Sequence, residues 1–235
     1  MDANLVDGLT WYVVFLFSTC CHEAAHAWSA HRLGDDTAYR GGQVSLHPLP
    51  HIQREPIGMV VVPLLSYFFG GWMIGWASAP YDPDWATRYP RRSALMALAG
   101  PAANLALILA AAILIRLGCE WGFFQATGHG SFLNLIGDSG NHGVLGEYLS
   151  KLLSLCFCLN LLLCAFNLLP VPPLDGSSIP LFFLEGRTME RYFETMRQPA
   201  FSMIGLIVAW RVFDFVFPPL FSAAANLLYR LLPAG

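Results

Sequence analysis

The chain has 235 residues, 55% of them hydrophobic and only 12% charged, about half the charged share of an average soluble domain. That composition excludes an ordinary water-soluble globule and places the chain in a lipid bilayer. The net charge of −3, with no run of Lys or Arg, excludes nucleic acid as a partner.

A membrane-crossing helix needs roughly 20 mostly apolar residues. The first such stretch, 9 to 30, is followed by no small-residue cleavage pattern, so it is read as a span rather than a removable signal. After it, Gly41-Gly42-Gln43-Val44-Ser45-Leu46-His47-Pro48 alternates apolar and polar residues behind a glycine pair, which predicts a short strand or hairpin able to receive an extended peptide. The stretch 57 to 78 is long enough to cross, yet Pro63, Gly70, Gly71 and Gly75 interrupt it. Broken apolar segments are tolerated when buried in protein or lining a cavity. Stretches 93 to 117, 148 to 169 and 200 to 217 are further spans, and beyond Pro218-Pro219 the piece 220 to 232 reads as a short or interfacial helix. The predicted fold is an all-α polytopic membrane protein with about four to six spanning or re-entrant helices and a short membrane-associated β-hairpin. It forms one integral domain over 1–235, with a core at about 9–185 and C-terminal helices at about 200–232. Of the six cysteines, Cys20, Cys21, Cys156, Cys158 and Cys164 lie in apolar stretches and read as small hydrophobes, not a disulfide framework.

Basic residues set the orientation, since they concentrate in cytoplasmic loops. Arg32, Arg40 and Arg54 mark one such loop, Arg88, Arg91 and Arg92 a second, and Arg187, Arg191 and Arg197 a third, whereas residues 1 to 8 and 117 to 150 hold none. If both 34–56 and 79–92 are cytoplasmic, the stretch 57 to 78 begins and ends on one side and must turn back. Helix 148–169 then delivers Asp175 to the cytoplasmic side, the side toward which His22 and His26 also lie.

His22 and His26 are four apart, so a helix projects both imidazoles from one face, within reach of a single zinc ion. Glu23 sits on the same turn, where a carboxylate can take a proton from a metal-activated water and hand it on. His-Glu-x-x-His carries this logic in metalloproteases. Ionisable groups inside an apolar helix are costly unless coordinated or paired, which favours function over coincidence. Zinc needs a third protein ligand and an open position. Asp175, in Asn167-Leu168-Leu169-Pro170-Val171-Pro172-Pro173-Leu174-Asp175-Gly176, is a candidate, although the same residues also describe a simple helix-ending turn.

With these motifs the chain resembles the site-2 protease family of intramembrane zinc metalloproteases. His22 to His26 match its zinc motif, Asn167 to Gly176 its Asn-Pro-Pro-Leu-Asp-Gly signature, and Ala99-Gly100-Pro101-Ala102-Ala103-Asn104 its Ala-Gly-Pro-x-x-Asn helix start. Gly42 to Gly58 and Gly75-Trp76-Ala77 are similar to a bacterial subgroup without a PDZ domain, with departures at His47, Gln53 and Ser78. The likeness covers about residues 10 to 217. It implies His22, His26 and Asp175 as ligands of one Zn2+, Glu23 as the catalytic acid and base, and Asn167 as a residue holding unwound substrate backbone. Asn104 reads as helix-to-helix packing beside Ala102, Ala103 and Ala106. Among the remaining histidines, His31 and His47 read as interfacial or solvated. His51 reads as structural, with an entrance or ligand role as the alternative, while His129 and His142 fall in the outer loop.

The expected function is hydrolysis of a peptide bond in a transmembrane protein substrate, within or near the bilayer of a multi-pass cell-membrane protein, bacterial plasma membrane by the resemblance. Two rivals share the same residues. A metal-binding transporter would use the cluster as a transit site, but transporters usually show two similar halves and no repeat is visible. An adaptor that has lost proteolysis would need no general base, and Glu23 is intact. Substrate identity and oligomeric state are not readable from the sequence.

Overall fold

The computed structural model describes residues 5–128 and 130–233, so His129 lies outside the described residues. Four helices are long and apolar enough to cross a membrane: α1 (Leu5–Leu33), α6 (Pro90–Glu120), α7 (Gly143–Asn167) and α9 (Pro199–Leu231). Each exceeds its predicted apolar stretch at one end at least. Shorter helices connect them: α2 (Thr37–Arg40), α3 (Pro48–Arg54), α4 (Val62–Gly70, led in by a π-turn at Ile57–Val61), α5 (Pro83–Arg88) and α8 (Gly186–Met196).

Helices α1, α6 and α7 form the core. Small residues on α6, among them Ala94, Ala97, Gly100 and Ala111, are buried and let backbones approach closely. Trp11, Val14 and Phe15 of α1 pack against Leu155 and Leu159 of α7. At one end of the bundle Lys151 pairs with Asp7 at 3.1 Å. At the other, Arg92 and Trp85 donate to the Leu33 carbonyl at the end of α1. So α1 and α7 run parallel, α6 runs against them, and the end of α1, the start of α6 and the end of α7 share one side, as the basic-residue pattern predicts.

The stretch 57 to 78 turns back. Its helix ends at Gly71, whose φ of +75° is the left-handed conformation that glycine adopts without penalty. From there residues 72 to 82 return without regular secondary structure. Trp76 N–H donates to the Gly58 carbonyl at 3.2 Å, and Gly75 lies so close to Gly58 that a Cβ there would stand 2.3 Å from its carbonyl oxygen. Ser78 Oγ donates to Glu55, and Asp82 N–H donates to Asp35. Both ends are therefore pinned on the side where α1 ends.

Two expectations are corrected. No strand forms over 41–48. Gly42 turns the chain at φ +73°, His47 and Pro48 cap and start α3, and Gln43 is buried with its amide donating to the Ser78 carbonyl. The antiparallel hairpin lies instead in the loop between α6 and α7, β1 (Phe124–Ala126) with β2 (Ile136–Asp138), seated on α7 where Ser154 Oγ accepts from Leu135 and Ile136 N–H. Nor does Pro218-Pro219 end a helix: α9 runs through both. Proline removes a donor and crowds the preceding turn, but in this helix Ala225 and Leu228 beyond it are buried in the core, and Phe217 and Phe221 pack on Phe132 of the α6–α7 loop. Packing on both sides of the prolines holds the helix in one piece.

Candidate metal centre

His22 and His26 project from the same face of α1 toward the N-terminal half of α6. Their tautomers can be read from a chain of hydrogen bonds that begins at a backbone carbonyl. Asn160 Nδ2 donates to the Cys156 carbonyl at 2.8 Å and to Ser18 Oγ at 2.9 Å, which fixes which end of its amide is oxygen. Asn160 Oδ1 then accepts from Asn104 Nδ2 at 2.8 Å, so Asn104 Oδ1 faces His22 Nδ1 at 2.6 Å. His22 must donate there. His26 Nδ1 donates to the Met96 carbonyl at 2.8 Å. In both neutral rings Nε2 is left as a lone pair.

These two lone pairs face each other at 3.0 Å, and the Asp175 carboxylate meets them at 3.1 Å from His22 and 3.4 Å from His26. All three residues are largely or wholly buried, and Asp175 Oδ2 is a buried oxygen that receives no hydrogen bond. Three electron-rich atoms cannot converge away from water without a positive charge among them. Donors held about 2 Å from a common zinc ion in a tetrahedral arrangement stand about 3.3 Å apart, so the observed spacings fit a metal. Gly100 of α6 leaves the room: a Cβ there would lie 2.3 Å from His26 Nε2 and 2.5 Å from His22 Nε2. Among the described residues no other group of three or more His, Cys, Asp or Glu could hold a metal ion.

Asp175 reaches the cluster because the end of α7 is bent back on itself. Pro170, Pro172 and Pro173 prevent further helix, a 3-10 segment begins at Asp175–Phe182, and Gly176 sits so close to the Leu168 carbonyl that a Cβ would meet it at 2.3 Å. Helix α9 backs this loop, Gly205 lying against the Pro172 carbonyl.

Glu23 is buried and lines a cavity of about 1180 Å³ together with both histidines and Asp175. One wall is the returning segment from Trp72 to Ala79, another a face of α9 that mixes apolar side chains such as Leu206 and Trp210 with Arg211 and Asp214, and Asn167 lines it at the end of α7. The Asn167 amide donates to its own helix, to the Leu163 carbonyl at 3.1 Å, so its Oδ1 carries no bond among the described residues.

Other histidines stay apart. His51 is fully buried and bonds the Ser45 carbonyl at 2.9 Å, which braces the 43–54 loop and brings no ligand to the cluster. His31 pairs with Asp36, His47 caps α3, and His142 pairs with Asp138 in the α6–α7 loop. All six cysteines are free thiols. Asn104 does more than pack helices, since it orients His22. Asn160 was not singled out from sequence, although a polar residue inside an apolar span was the signal for it.

Comparison with known proteins places the chain. The profile described as Peptidase family M50 matches residues 10–211. A Bacillus subtilis protein named "Putative zinc metalloprotease YwhC" is 29% identical over 168 residues, covering 71% of this chain and 65% of its own length. "Putative zinc metalloprotease Rip2" of Mycolicibacterium smegmatis is 32% identical over 181 residues, 74% of this chain and 60% of its own. The protein of that name in Mycobacterium tuberculosis is 32% identical over 163 residues, 69% and 52% respectively. The chain thus spans about half to two thirds of the length of these relatives. No solved structure matches. The profile takes in the histidine pair and the Asp175 loop, and the chain belongs to peptidase family M50, the site-2 protease family of membrane zinc metalloproteases.

Proposed function

We propose that this chain is an intramembrane zinc peptidase whose one catalytic ion is held by His22 Nε2, His26 Nε2 and Asp175. The observation that carries the reading is the meeting of two proton-free imidazole nitrogens and a buried carboxylate with no donor among them. Bound zinc supplies a Lewis acid that polarises the scissile carbonyl and makes water acidic near neutral pH. Glu23, one residue from His22 and facing the same cavity, takes the proton of the attacking water and returns it to the leaving amine.

A helical substrate hides its carbonyls in intrahelical hydrogen bonds and must unwind to be cut. The cavity wall from Trp72 to Ala79 lies outside any helix or strand, and it receives the unwound substrate by strand addition. This role passes to it from the 41–48 segment, which holds it in place through Gln43. Asn167 Oδ1 takes a backbone N–H of the unwound substrate. The substrate is a membrane protein, the whole chain works as a single integral domain, and the site opens toward the cytoplasmic side, where Arg32, Arg40, Arg54, Arg88, Arg91 and Arg92 gather.

Purified protein in lipid nanodiscs tests the chemistry, with single-span reporter proteins as substrates. Glu23→Gln should retain one zinc per chain by elemental analysis and lose cleavage by at least a thousandfold. Cleavage that survives in Glu23→Gln contradicts the mechanism.

A further inference from the structure

Two ionisable side chains, Arg211 and Asp214, sit well inside α9, the spanning helix least covered by protein. Spaced i and i+3, they share a face of the helix, and both line the large cavity. Among the described residues neither has a hydrogen-bond or ion-pair partner. Charges inside a span face a partner or a water-filled space rather than lipid, and mark a functional position. The helix adds polarity here, because Pro218 has no N–H to give the Asp214 carbonyl.

Their position follows from their neighbours. Gly205 touches Pro172 in the loop that carries Asp175, and Arg211 lies six residues further along α9, about 9 Å by helical rise. Trp210, beside Arg211, stacks on Trp72 at 6.4 Å between ring centroids, and Trp72 is where the returning wall begins. A peptide lying extended along that wall covers 9 Å in about three residues. Two arginines line the cavity, and Arg197 is already engaged by the Pro83 carbonyl and Thr87. Arg211 is the cation left to meet a substrate. A guanidinium binds a carboxylate through two parallel N–H donors, a geometry that gains strength where water is excluded.

The geometry points to Arg211 as a specificity determinant: it binds an Asp or Glu side chain of the substrate segment about three residues from the scissile bond, toward the Trp72 end of the wall. Asp214 balances the charge of Arg211 before substrate arrives. This inference rests on the peptidase reading, and its test is built to fail separately.

The probes are synthetic single-span peptides of Leu and Ala, each with one Asn, Asp or Lys scanned along the segment. Their binding to Glu23→Gln protein in nanodiscs is read by fluorescence anisotropy, and their cleavage by wild type is read by mass spectrometry. At one register the Asp peptide should bind at least tenfold tighter than the Asn peptide. Adding Arg211→Gln should erase that ratio, Arg211→Lys should reduce it, and Arg211→Glu should shift preference to the Lys peptide, all with zinc content equal to the parent. An absent Asp preference, or one that survives Arg211→Gln, overturns the inference. If wild type cleaves no peptide while the Arg211-dependent preference holds, the peptidase reading fails and the binding site stands.

Discussion

At the scale of single residues, the candidate metal cluster depends on atoms outside it. His22 presents a free Nε2 only because Asn104 Oδ1 takes its other proton, and Asn104 is turned that way by Asn160. Removing such an orienting partner typically lowers metal affinity 10- to 100-fold. Asn104→Ala should weaken zinc binding by that factor, measured by competition with a chelator of known affinity, with the fold intact by circular dichroism. Gly100→Ala should do more, since its Cβ would stand 2.3 Å from His26 Nε2, and zinc content should fall to background. His22, Glu23 and His26 were legible in sequence because four-residue spacing on one apolar helix admits few other readings. Asp175 was legible through its Pro-Pro-Leu-Asp-Gly loop and the basic-residue pattern, and the bend after α7 is what brings it to the histidines. Asn160 was hidden because a lone amide in a span has no spacing partner along the chain.

At the scale of elements, the returning segment shows how sequence and fold constrain each other. Charge placement and the need to bring Asp175 to the histidines both required 57–78 to turn back, and Gly71 and Gly75 supply the turn and the close approach. A side chain at Gly75 would push against the Gly58 carbonyl and Phe15, lifting the wall away from the helix that supports it. Gly75→Val should therefore keep zinc and lose at least tenfold in cleavage, with elemental analysis and turnover measured on the same preparation. The misreadings have a common cause. Alternation at 41–48 and the proline pair at 218–219 are local signals, and both were overruled by tertiary contacts, Gln43 with Ser78 in one case and the burial of Ala225 and Leu228 in the other. The outer hairpin was missed because strands of three residues leave almost no periodicity to read.

At the scale of the whole molecule, α1, α6 and α7 form a packed unit while α9 stands largely apart. Of its span window 11% is buried, against 50% in α1. Helix α9 is held near Gly205, against the Asp175 loop, and near Leu228 in the core, and the cavity lies along the stretch between. The arrangement places the metal cluster on the side that collects the arginines, so a phosphatase reporter fused after Gly128 should be active outside the cell and one fused after Gly42 should be silent. The reverse pattern would contradict the orientation. Two histidine nitrogens four residues apart and one carboxylate about 150 residues further along the chain are proposed to hold a single zinc ion inside a membrane helix bundle. Anomalous diffraction at the zinc edge tests it most directly. One peak about 2 Å from His22 Nε2, His26 Nε2 and an Asp175 oxygen, absent in His22→Ala, is the predicted result, and a zinc peak elsewhere, or none in protein that cleaves its substrate, would contradict the account.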